Sequence, residues 1–265
     1  MKVLETEALT RRFGALVAVD RLTIAVEAGE VFGMVGPNGA GKTTTVKMLV
    51  TLLPPTSGRA RVAGFDVVAH AASVRRSIGY VPQLISADGA LTGYENLLVS
   101  ARLYDTPRRE RAERIREALD FMGLSEAAAK LVREYSGGMI RRLEIAQSMM
   151  HRPRVLFLDE PTVGLDPVAR RTLWRHLQQL RDDYGTTIVL TTHYLEEAED
   201  FCHRVAIMNL GKVVALGTPD ELKSSIGAPE ASLDDVFAHY TGSNWESGGS
   251  YRETSRTRRT SRRLG

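Results

Sequence analysis

Apolar and polar positions follow two kinds of pattern along the chain, and the first kind predicts strands. The apolar runs at 31–35 and 155–158 and the stretch at 186–192 are typical of strands buried inside a mainly parallel sheet. Further strands are predicted at 2–10, 22–27, 59–63, near Val67 and in the later part of 74–83, with a closing hairpin of 205–208 and 213–216. Buried strands separated by helical segments predict an α/β fold.

The second kind of pattern is helical spacing, and it dominates between about 84 and 150. Within this region, residues 111–122 carry an apolar face formed by Ala112, Ile115, Leu119 and Met122. We therefore expect an inserted helical subdomain here. Other helices are predicted at 42–53, in a short segment at the start of 74–83, from Ser136 to Ala146, at 168–182 and at 194–202.

A glycine-rich loop lies between the first buried strand and the helix that follows it. The loop consists of Gly36, Pro37, Asn38, Gly39, Ala40, Gly41, Lys42, Thr43 and Thr44, and it matches the pattern G-x-x-x-x-G-K-[ST]. Glycines let backbone N–H groups turn inward around a phosphate, and the positive N-terminus of the helix points at the same anion. We expect Lys42 to reach the β- and γ-phosphates of a nucleotide and the Thr43 hydroxyl to bind Mg²⁺.

Two adjacent carboxylates, Asp159 and Glu160, end the strand predicted from Val155. Ligands bind at the carboxyl edge of a parallel sheet, so Asp159 can hold Mg²⁺ there and Glu160 can orient or deprotonate a water. The two acids could instead cap a helix. His193 ends another buried strand, where it is placed to touch a γ-phosphate.

Other local signals leave alternatives open. Ser136, Gly137 and Gly138 open a helix with uncovered N–H groups, which indicates either a second anion site or a simply capped helix. Phe13, in a turn predicted at 11–14, either stacks on a nucleobase or belongs to the core. Gln83 begins a loop, because Pro82 stops the preceding strand.

Composition narrows the class of protein. With 43% hydrophobic and 25% charged residues, the chain has enough apolar content for a packed core. The single cysteine, Cys202, allows no internal disulfide and suits a reducing cytoplasm. No apolar run is long enough to span a bilayer, so any membrane role needs a second protein.

The net charge of +3 is unevenly distributed. Residues 251–265 contain six arginines and one acid, Glu253, which leaves the remainder near −2, unlike a nucleic-acid-binding surface. From Ser243 onward the sequence has almost no apolar content, and we expect residues 241–265 to form a disordered basic tail. Its arginines suit an anionic membrane surface.

The motifs, in their order, resemble the ATP-binding-cassette (ABC) ATPase domain over residues 1–240. They are GPNGAGKTT at 36–44, Gln83, YSGGM at 135–139, VLFLDE at 155–160, GLD at 164–166 and His193. A closer resemblance is to the daunorubicin-resistance type of drug-export ATPase. It rests on LDEPTVGLDP at 158–167, VVALGTPDELK at 213–223 and LDDVF at 233–237.

This resemblance implies a P-loop NTPase core with an N-terminal antiparallel β subdomain and a helical subdomain inserted at about 84–150. It also implies a dimer in which the phosphate loop of one chain faces Ser136, Gly137 and Gly138 of the other across ATP. In the role that the resemblance implies, Phe13 stacks on adenine, and Lys42 and the loop amides bind the phosphates. Thr43 and Gln83 bind Mg²⁺, which Asp159 supports. Glu160 activates the water, Asp166 lies at the dimer contact and His193 senses the γ-phosphate.

The signature motif departs from the family pattern Leu-Ser-Gly-Gly-Gln. Tyr135 and Met139 stand at its first and last places, so a glutamine contact at 139 is lost while Ser136 to Gly138 are kept. Phe13 stands where a tyrosine is common, which preserves stacking.

The resemblance implies an ATPase subunit of an exporter for hydrophobic drugs or lipids. It would sit at the cytoplasmic face of the membrane, gripping a separate membrane-spanning permease through the Gln83 loop and the helical subdomain. An alternative is a soluble ABC-class ATPase acting on nucleic acid or the ribosome, with the arginine tail as its binding arm. We do not expect a nucleic-acid partner. ABC-class ATPases that act on nucleic acid or the ribosome commonly carry two cassettes in one chain or a long coiled-coil insert, and this sequence shows neither. A small-molecule kinase would leave Ser136 to Gly138 and His193 without a role.

Overall fold

The computed structural model describes residues 1–242. Its strands are β1 (Lys2–Phe13), β2 (Leu16–Leu22), β3 (Ala25–Glu27), β4 (Val31–Val35), β5 (Ser57–Val62), β6 (Phe65–Asp66), β7 (Ile78–Val81), β8 (Val155–Asp159), β9 (Thr187–Thr192), β10 (Arg204–Asn209) and β11 (Lys212–Gly217). The arginine-rich tail predicted from Ser243 onward lies outside the described residues.

The helices account for most of the remaining described chain. They are α1 (Lys42–Leu49), α2 (Ala71–Ser77), α3 (Gly93–Leu103), α4 (Arg108–Phe121), α5 (Gly137–Met149), α6 (Pro167–Tyr184), α7 (Leu195–Phe201), α8 (Pro219–Ser225) and α9 (Leu233–Thr241). Within residues 1–242, none of them is both long and apolar enough to cross a bilayer.

A six-stranded sheet with the order β11-β10-β4-β9-β8-β7 forms the centre of the fold. Its neighbouring strands are parallel except for the β10–β11 hairpin. In β8, Leu156 and Leu158 belong to one hydrophobic core while Phe157 belongs to the other, because successive side chains point to opposite faces. The prediction of strands buried on both faces is therefore confirmed.

The second sheet is antiparallel and is built from the N-terminal part of the chain. β1 pairs with β2, β3 and β5, and β5 carries the short edge strand β6. The two sheets share one hydrophobic core, in which Leu4 and Val62 of the antiparallel sheet join Phe32 and Met34 of β4. This packing places the N-terminal sheet beside the strand that leads into the glycine-rich loop.

The turn predicted at 11–14 begins too early, and the strand predicted at 22–27 is only the three-residue β3, because Leu22 still belongs to β2. β1 continues to Phe13, and β2 pairs with it so that Arg11 faces Val19 and Arg12 faces Val17. Strand pairing uses backbone groups, so two arginines with partly or fully exposed side chains do not end it. The turn begins only at Gly14, whose φ of 57° is in the left-handed region.

Two smaller corrections have local causes. The helix predicted at 42–53 ends at Leu49, because Thr51 takes a φ of 66° and the N–H of Leu52 turns back to the carbonyl of Lys47. The strand expected near Val67 is Phe65–Asp66, since Val67 already belongs to the following turn.

The helix predicted at 111–122 is α4, and only part of its expected apolar face is buried. Ile115, Leu119 and Met122 are in the core, whereas Ala112 is exposed because it lies one turn outside the contact with the neighbouring helices. α3, α4 and α5 follow one another between β7 and β8 and pack together, with Leu97 and Leu143 fully buried in the same core as Ile115.

Candidate functional site

Four strand ends bring the predicted chemical groups to one edge of the central sheet. The register pairs Val35 at the end of β4 with Thr192 of β9, and Asp159 at the end of β8 with Thr191. β7 lies beside β8 and ends two residues before Gln83. Parallel strands thus deliver the glycine-rich loop, His193, Glu160 and Gln83 to the same edge.

A cavity of about 290 Å³ opens at this edge. It is lined by Phe13, Leu16, Ala18, Pro37, Asn38, Gly39, Ala40, Gly41, Lys42, Thr43, Thr44, Gln83 and Glu160. Most of the residues selected from the sequence therefore meet around one space. Leu16 and Ala18 were not predicted, because they belong to the hairpin strand β2 that the sequence pattern did not reveal.

The glycine-rich loop wraps around the buried ammonium group of Lys42. Nζ of Lys42 donates to the carbonyl oxygens of Gly36, at 2.5 Å, and Pro37, at 3.3 Å. Gly41 has a φ of 100°, and a Cβ there would come within 2.5 Å of the Ala18 carbonyl oxygen. The first N–H groups of α1 have no acceptor within the helix, so the loop offers an anion both backbone donors and a positive charge.

Phe13 lies at the mouth of the cavity, at the end of β1. Its side chain is 46% exposed, so it is not a core residue. The guanidinium carbon of Arg11 lies 4.6 Å from the centroid of its ring. An exposed aromatic face beside a phosphate loop is available for stacking on a planar base.

Asp159 is held in place by two hydroxyl groups. Its Oδ1 accepts hydrogen bonds from Oγ1 of Thr43, at 2.9 Å, and Oγ1 of Thr191, at 2.6 Å. Thr191 also accepts from the Glu160 backbone N–H through Oγ1, at 3.0 Å, and it is fully buried. Thr191 is thus a site residue that the sequence analysis missed, since it was interpreted only as part of a buried strand.

Glu160 has the most constrained geometry in the site. It takes a φ of 51°, which costs free energy for a residue with a Cβ and is held here by the surrounding contacts. Oε1 lies 3.2 Å from Nζ of Lys42, and Oε2 lies 2.8 Å from Nδ1 of His193 and 3.2 Å from its backbone N. The side chain is 5% exposed.

The electrostatics of Glu160 favour its ionised form. Burial acts to raise the pKa of this carboxyl, but the hydrogen bond from His193 and the charge of Lys42 together outweigh burial and hold the pKa below its usual value. Glu160 therefore carries a negative charge at neutral pH, directly beside the positive charge that would bind a phosphate.

The polar groups fit a magnesium ion better than a metal held only by protein side chains. Among residues 1–242, no group of three or more His, Cys, Asp or Glu is placed to bind a metal ion. Mg²⁺ in nucleotide sites is typically bound through one or two carboxylates together with phosphate oxygens and waters. Thr43 and Asp159 are already in contact, and Gln83 lines the same cavity, which suits that mode of binding.

Four further residues selected from the sequence do not line this cavity. Ser136 caps α5 by accepting from the Met139 N–H at 3.3 Å, and Ser136 and Gly137 are exposed while Gly138 is partly buried. Asp166 caps α6, and the N–H groups of Ala169 and Val168 lower the pKa of its carboxyl. The N-cap predicted at Ser136 is confirmed, and all four residues stand apart from the cavity of their own chain.

Comparisons with known proteins agree with the geometry. The family profile described as ABC transporter matches residues 19–163. The daunorubicin/doxorubicin resistance ATP-binding protein DrrA of Streptomyces peucetius is 47% identical over 227 residues, covering 86% of this chain and 68% of that protein. The probable multidrug ABC transporter ATP-binding protein YbhF of Escherichia coli is 40% identical over 89% of this chain, but the chain spans only 41% of YbhF.

The solved structures include a close match of the fold. A structure described as the ATP binding subunit of an ABC transporter superposes with a TM-score of 0.81, at 30% identity, and covers 90% of this chain and 99% of its own. The profile extends over more than half of the chain and includes the glycine-rich loop and both carboxylates. The chain therefore belongs to the ABC transporter family, and it is one of the ATP-binding and ATP-hydrolysing members of that family.

Proposed function

We propose that the chain is the ATPase subunit of an ABC exporter that drives a hydrophobic, drug-like or lipid-like substrate through a separate membrane-spanning permease. The observation that carries this proposal is the position of Glu160, which lines the cavity together with Phe13 and Lys42 and is contacted by both Lys42 and His193. The names of the relatives supply the transport role, since both DrrA and YbhF are described as ATP-binding proteins of drug resistance or multidrug transport.

The residues of the site divide the chemistry among them in this proposal. Phe13 stacks on the adenine, and Lys42 with the amides of the glycine-rich loop binds the phosphates. Thr43 and Gln83 hold Mg²⁺, with Asp159 supporting it. Mg²⁺ would neutralise charge on the phosphates as the γ-phosphate leaves.

Glu160 orients and deprotonates the attacking water in this proposal, and its present contacts explain how that role is controlled. Both oxygens of its carboxylate are engaged, one by Lys42 and the other by His193. A γ-phosphate attracts the Lys42 ammonium more strongly than a single carboxylate does, because it carries more negative charge, and its oxygens can also accept a hydrogen bond from His193. Binding of ATP would thus free Glu160 to accept a proton and leave His193 in contact with the phosphate.

The proposed working form is a head-to-tail dimer. Ser136, Gly137 and Gly138 at the start of α5 would close over ATP bound to the partner's phosphate loop, and Asp166 would lie at the contact. These residues do not line the cavity of their own chain, and Ser136, Gly137 and Asp166 are exposed, as a contact between chains requires. Uncovered N–H groups at a helix N-terminus suit a phosphate.

The proposed permease contact lies beside Gln83 and the helical subdomain, which we place at about 84–150 within an ATPase domain of residues 1–240. Leu84 and Ile85 are 81% and 64% exposed, and Leu103 at the end of α3 is 75% exposed. Leu84 and Ile85 are adjacent in the chain, and neighbouring exposed apolar side chains indicate a protein-binding surface. Through this surface the chain would sit at the cytoplasmic face of the membrane.

A single purification tests the proposed function. The full chain carrying Glu160→Gln is tagged in its native host, and membranes are solubilised in mild detergent with ATP. The variant should bind ATP without hydrolysing it, which keeps the dimer closed. We expect a polytopic membrane protein to co-purify in a fixed ratio with the tagged chain.

The matched control is Glu7→Gln, a change of the same kind on the exposed surface of β1. It should hydrolyse ATP at the wild-type rate. Recovery of the Glu160→Gln chain from the soluble fraction with ribosomes or nucleic acid, and without a membrane protein, would refute the exporter and favour the alternative function.

A further inference from the structure

A buried ion pair on α5 lies behind the Gln83 loop, defined here as residues 82–86. Arg141 and Glu144 are one helical turn apart, their charged groups are 3.0 Å apart, and their side chains are 8% and 1% exposed. Removing two charges from water is costly, and a buried pair is often no more stabilising than apolar residues of similar volume. Stability alone therefore does not explain why two charged residues occupy this buried position.

The pair holds both ends of the Gln83 loop. Arg141 donates from Nη1 to the carbonyl oxygen of Pro82, at 2.7 Å, and from Nη2 to that of Gln83, at 3.1 Å. Oε1 of Glu144 accepts from the backbone N–H and from Oγ of Ser86. The guanidinium group donates to the two carbonyls from two different nitrogens held in one plane, and Nη1 also lies against Glu144, so the loop and the carboxylate are held in one fixed geometry.

The loop that the pair binds lies at the surface. Residues 83–86 are exposed, so water can reach the loop if the pair is removed. What the pair supplies is a defined position for the loop relative to α5. Gln83 lines the nucleotide cavity, and α5 begins with Ser136 and Gly137 at the surface.

We propose that Arg141 and Glu144 are positioning residues for ATP hydrolysis, which fix Gln83 to α5 so that the two move as one body. This inference rests on the proposed function, because it assigns the pair to the same site. In the proposed function, Gln83 binds the Mg²⁺ of the nucleotide held by its own chain, while the start of α5 closes over the nucleotide of the partner. The pair thereby connects the residue that binds Mg²⁺ in one nucleotide site to the helix start that covers the other nucleotide site.

The test replaces the pair by apolar residues of similar size. The double variant Arg141→Met/Glu144→Leu leaves no unpaired buried charge, so it should fold and unfold like the wild-type full chain. Hydrogen exchange of the Ser86 amide should become at least about tenfold faster, because its acceptor is gone. The Mg²⁺ concentration for half-maximal ATP hydrolysis should rise about tenfold, as for other residues that orient a metal ligand.

The matched control is the double variant Arg204→Met/Glu30→Leu. Arg204 also donates to a carbonyl, that of Ala25, and lies 3.4 Å from Glu30, whose carboxylate accepts the Glu27 N–H. This second pair contacts neither the cavity nor the Gln83 loop. Its removal should leave both readouts unchanged, and Arg141→Lys should fall between wild type and the first double variant.

The outcomes separate this inference from the proposed function. Wild-type exchange at Ser86 and wild-type Mg²⁺ dependence in the first double variant would overturn it, as would equal changes in the control. If the wild-type chain hydrolyses no ATP, the proposed function fails, and exchange at Ser86 alone then decides whether the pair positions the loop.

Discussion

At the scale of single residues, Glu160 should give the fold a contribution to stability that depends on pH. Its carboxyl pKa is held below the usual value of 4.5, although burial acts in the opposite direction, by the hydrogen bond from His193 and the charge of Lys42. A pKa lowered in the folded state means that ionised Glu160 stabilises the fold fully above about pH 4.5, and that this stabilisation is lost as the pH falls through the lowered pKa.

Urea unfolding at several pH values measures this contribution. Between pH 7 and the acid range below 4.5, wild type should lose more free energy of unfolding than Glu160→Gln, which cannot titrate at this position. Glu7→Gln, on the surface of β1, should follow the wild-type curve. Parallel curves for wild type and Glu160→Gln would contradict the assigned ion pairs.

Thr191 is a second residue whose role can be tested. Thr191→Val keeps the shape of the side chain but removes the hydroxyl that binds both Asp159 and the Glu160 N–H. We expect a loss of about 1–3 kcal/mol in the free energy of unfolding, and a fall of about tenfold or more in the rate of ATP hydrolysis.

Two variants show whether the Thr191 effect belongs to the site. Thr191→Ser restores the hydroxyl and should recover most of the activity. Thr187→Val, at the opposite end of β9, removes a hydroxyl that accepts from the Gly29 N–H and should lower stability without lowering the hydrolysis rate per folded molecule. Equal losses of activity at both positions would mean that Thr191 acts only through stability.

At the scale of elements, the start of α5 explains one departure from the family pattern. Tyr135 is buried, and its hydroxyl donates to the carbonyl oxygen of Ala127 at 2.7 Å. A Cβ at Gly93, the first residue of α3, would collide with the same hydroxyl. Tyr135 therefore packs the beginning of α5 against α3 instead of facing the nucleotide cavity.

A double-mutant cycle tests this packing. Alanine is the better helix former, yet Gly93→Ala should destabilise the chain by about 1–3 kcal/mol, because the tyrosine must move. In a Tyr135→Leu background the same substitution should be neutral or stabilising, since the hydroxyl is gone. Thermal unfolding of the four chains measures the coupling, and simple additivity would contradict the predicted contact.

At the scale of the whole molecule, the separation between the cavity and the start of α5 predicts complementation between chains. Lys42→Ala damages the phosphate loop and Ser136→Arg damages the cap, so each variant alone should hydrolyse almost no ATP. In a mixed head-to-tail dimer, one of the two sites combines an intact loop with an intact cap. Equal mixing should restore about a quarter of the wild-type rate if one intact site is sufficient.

The same mixture provides its own control. Lys42→Ala mixed with a chain that carries both substitutions offers no intact site and should stay inactive. Failure of the first mixture to exceed the second would argue against a site shared between chains, although each chain could still bind ATP in its own cavity.

Much of the fold could be predicted because its signals are local. The buried strands β4, β8 and β9 lie close to where their apolar runs predict them, and the β10–β11 hairpin lies where expected. The course of the chain around Phe13 could not be predicted in this way. Whether Arg11 and Arg12 continue a strand depends on the partner strand β2, which is a tertiary pairing.

The sequence by itself determined which chemical groups the site contains, because the glycine-rich loop and the acids at strand ends are recognised from residues that are close together in the chain. Only the tertiary structure decided which of these groups meet. Lys42, Glu160 and His193 converge through the register of parallel strands, whereas Asp166 and the start of α5 are carried elsewhere. Thr191, Arg141 and Glu144 gain their roles from partners distant in sequence, so no local pattern could reveal them.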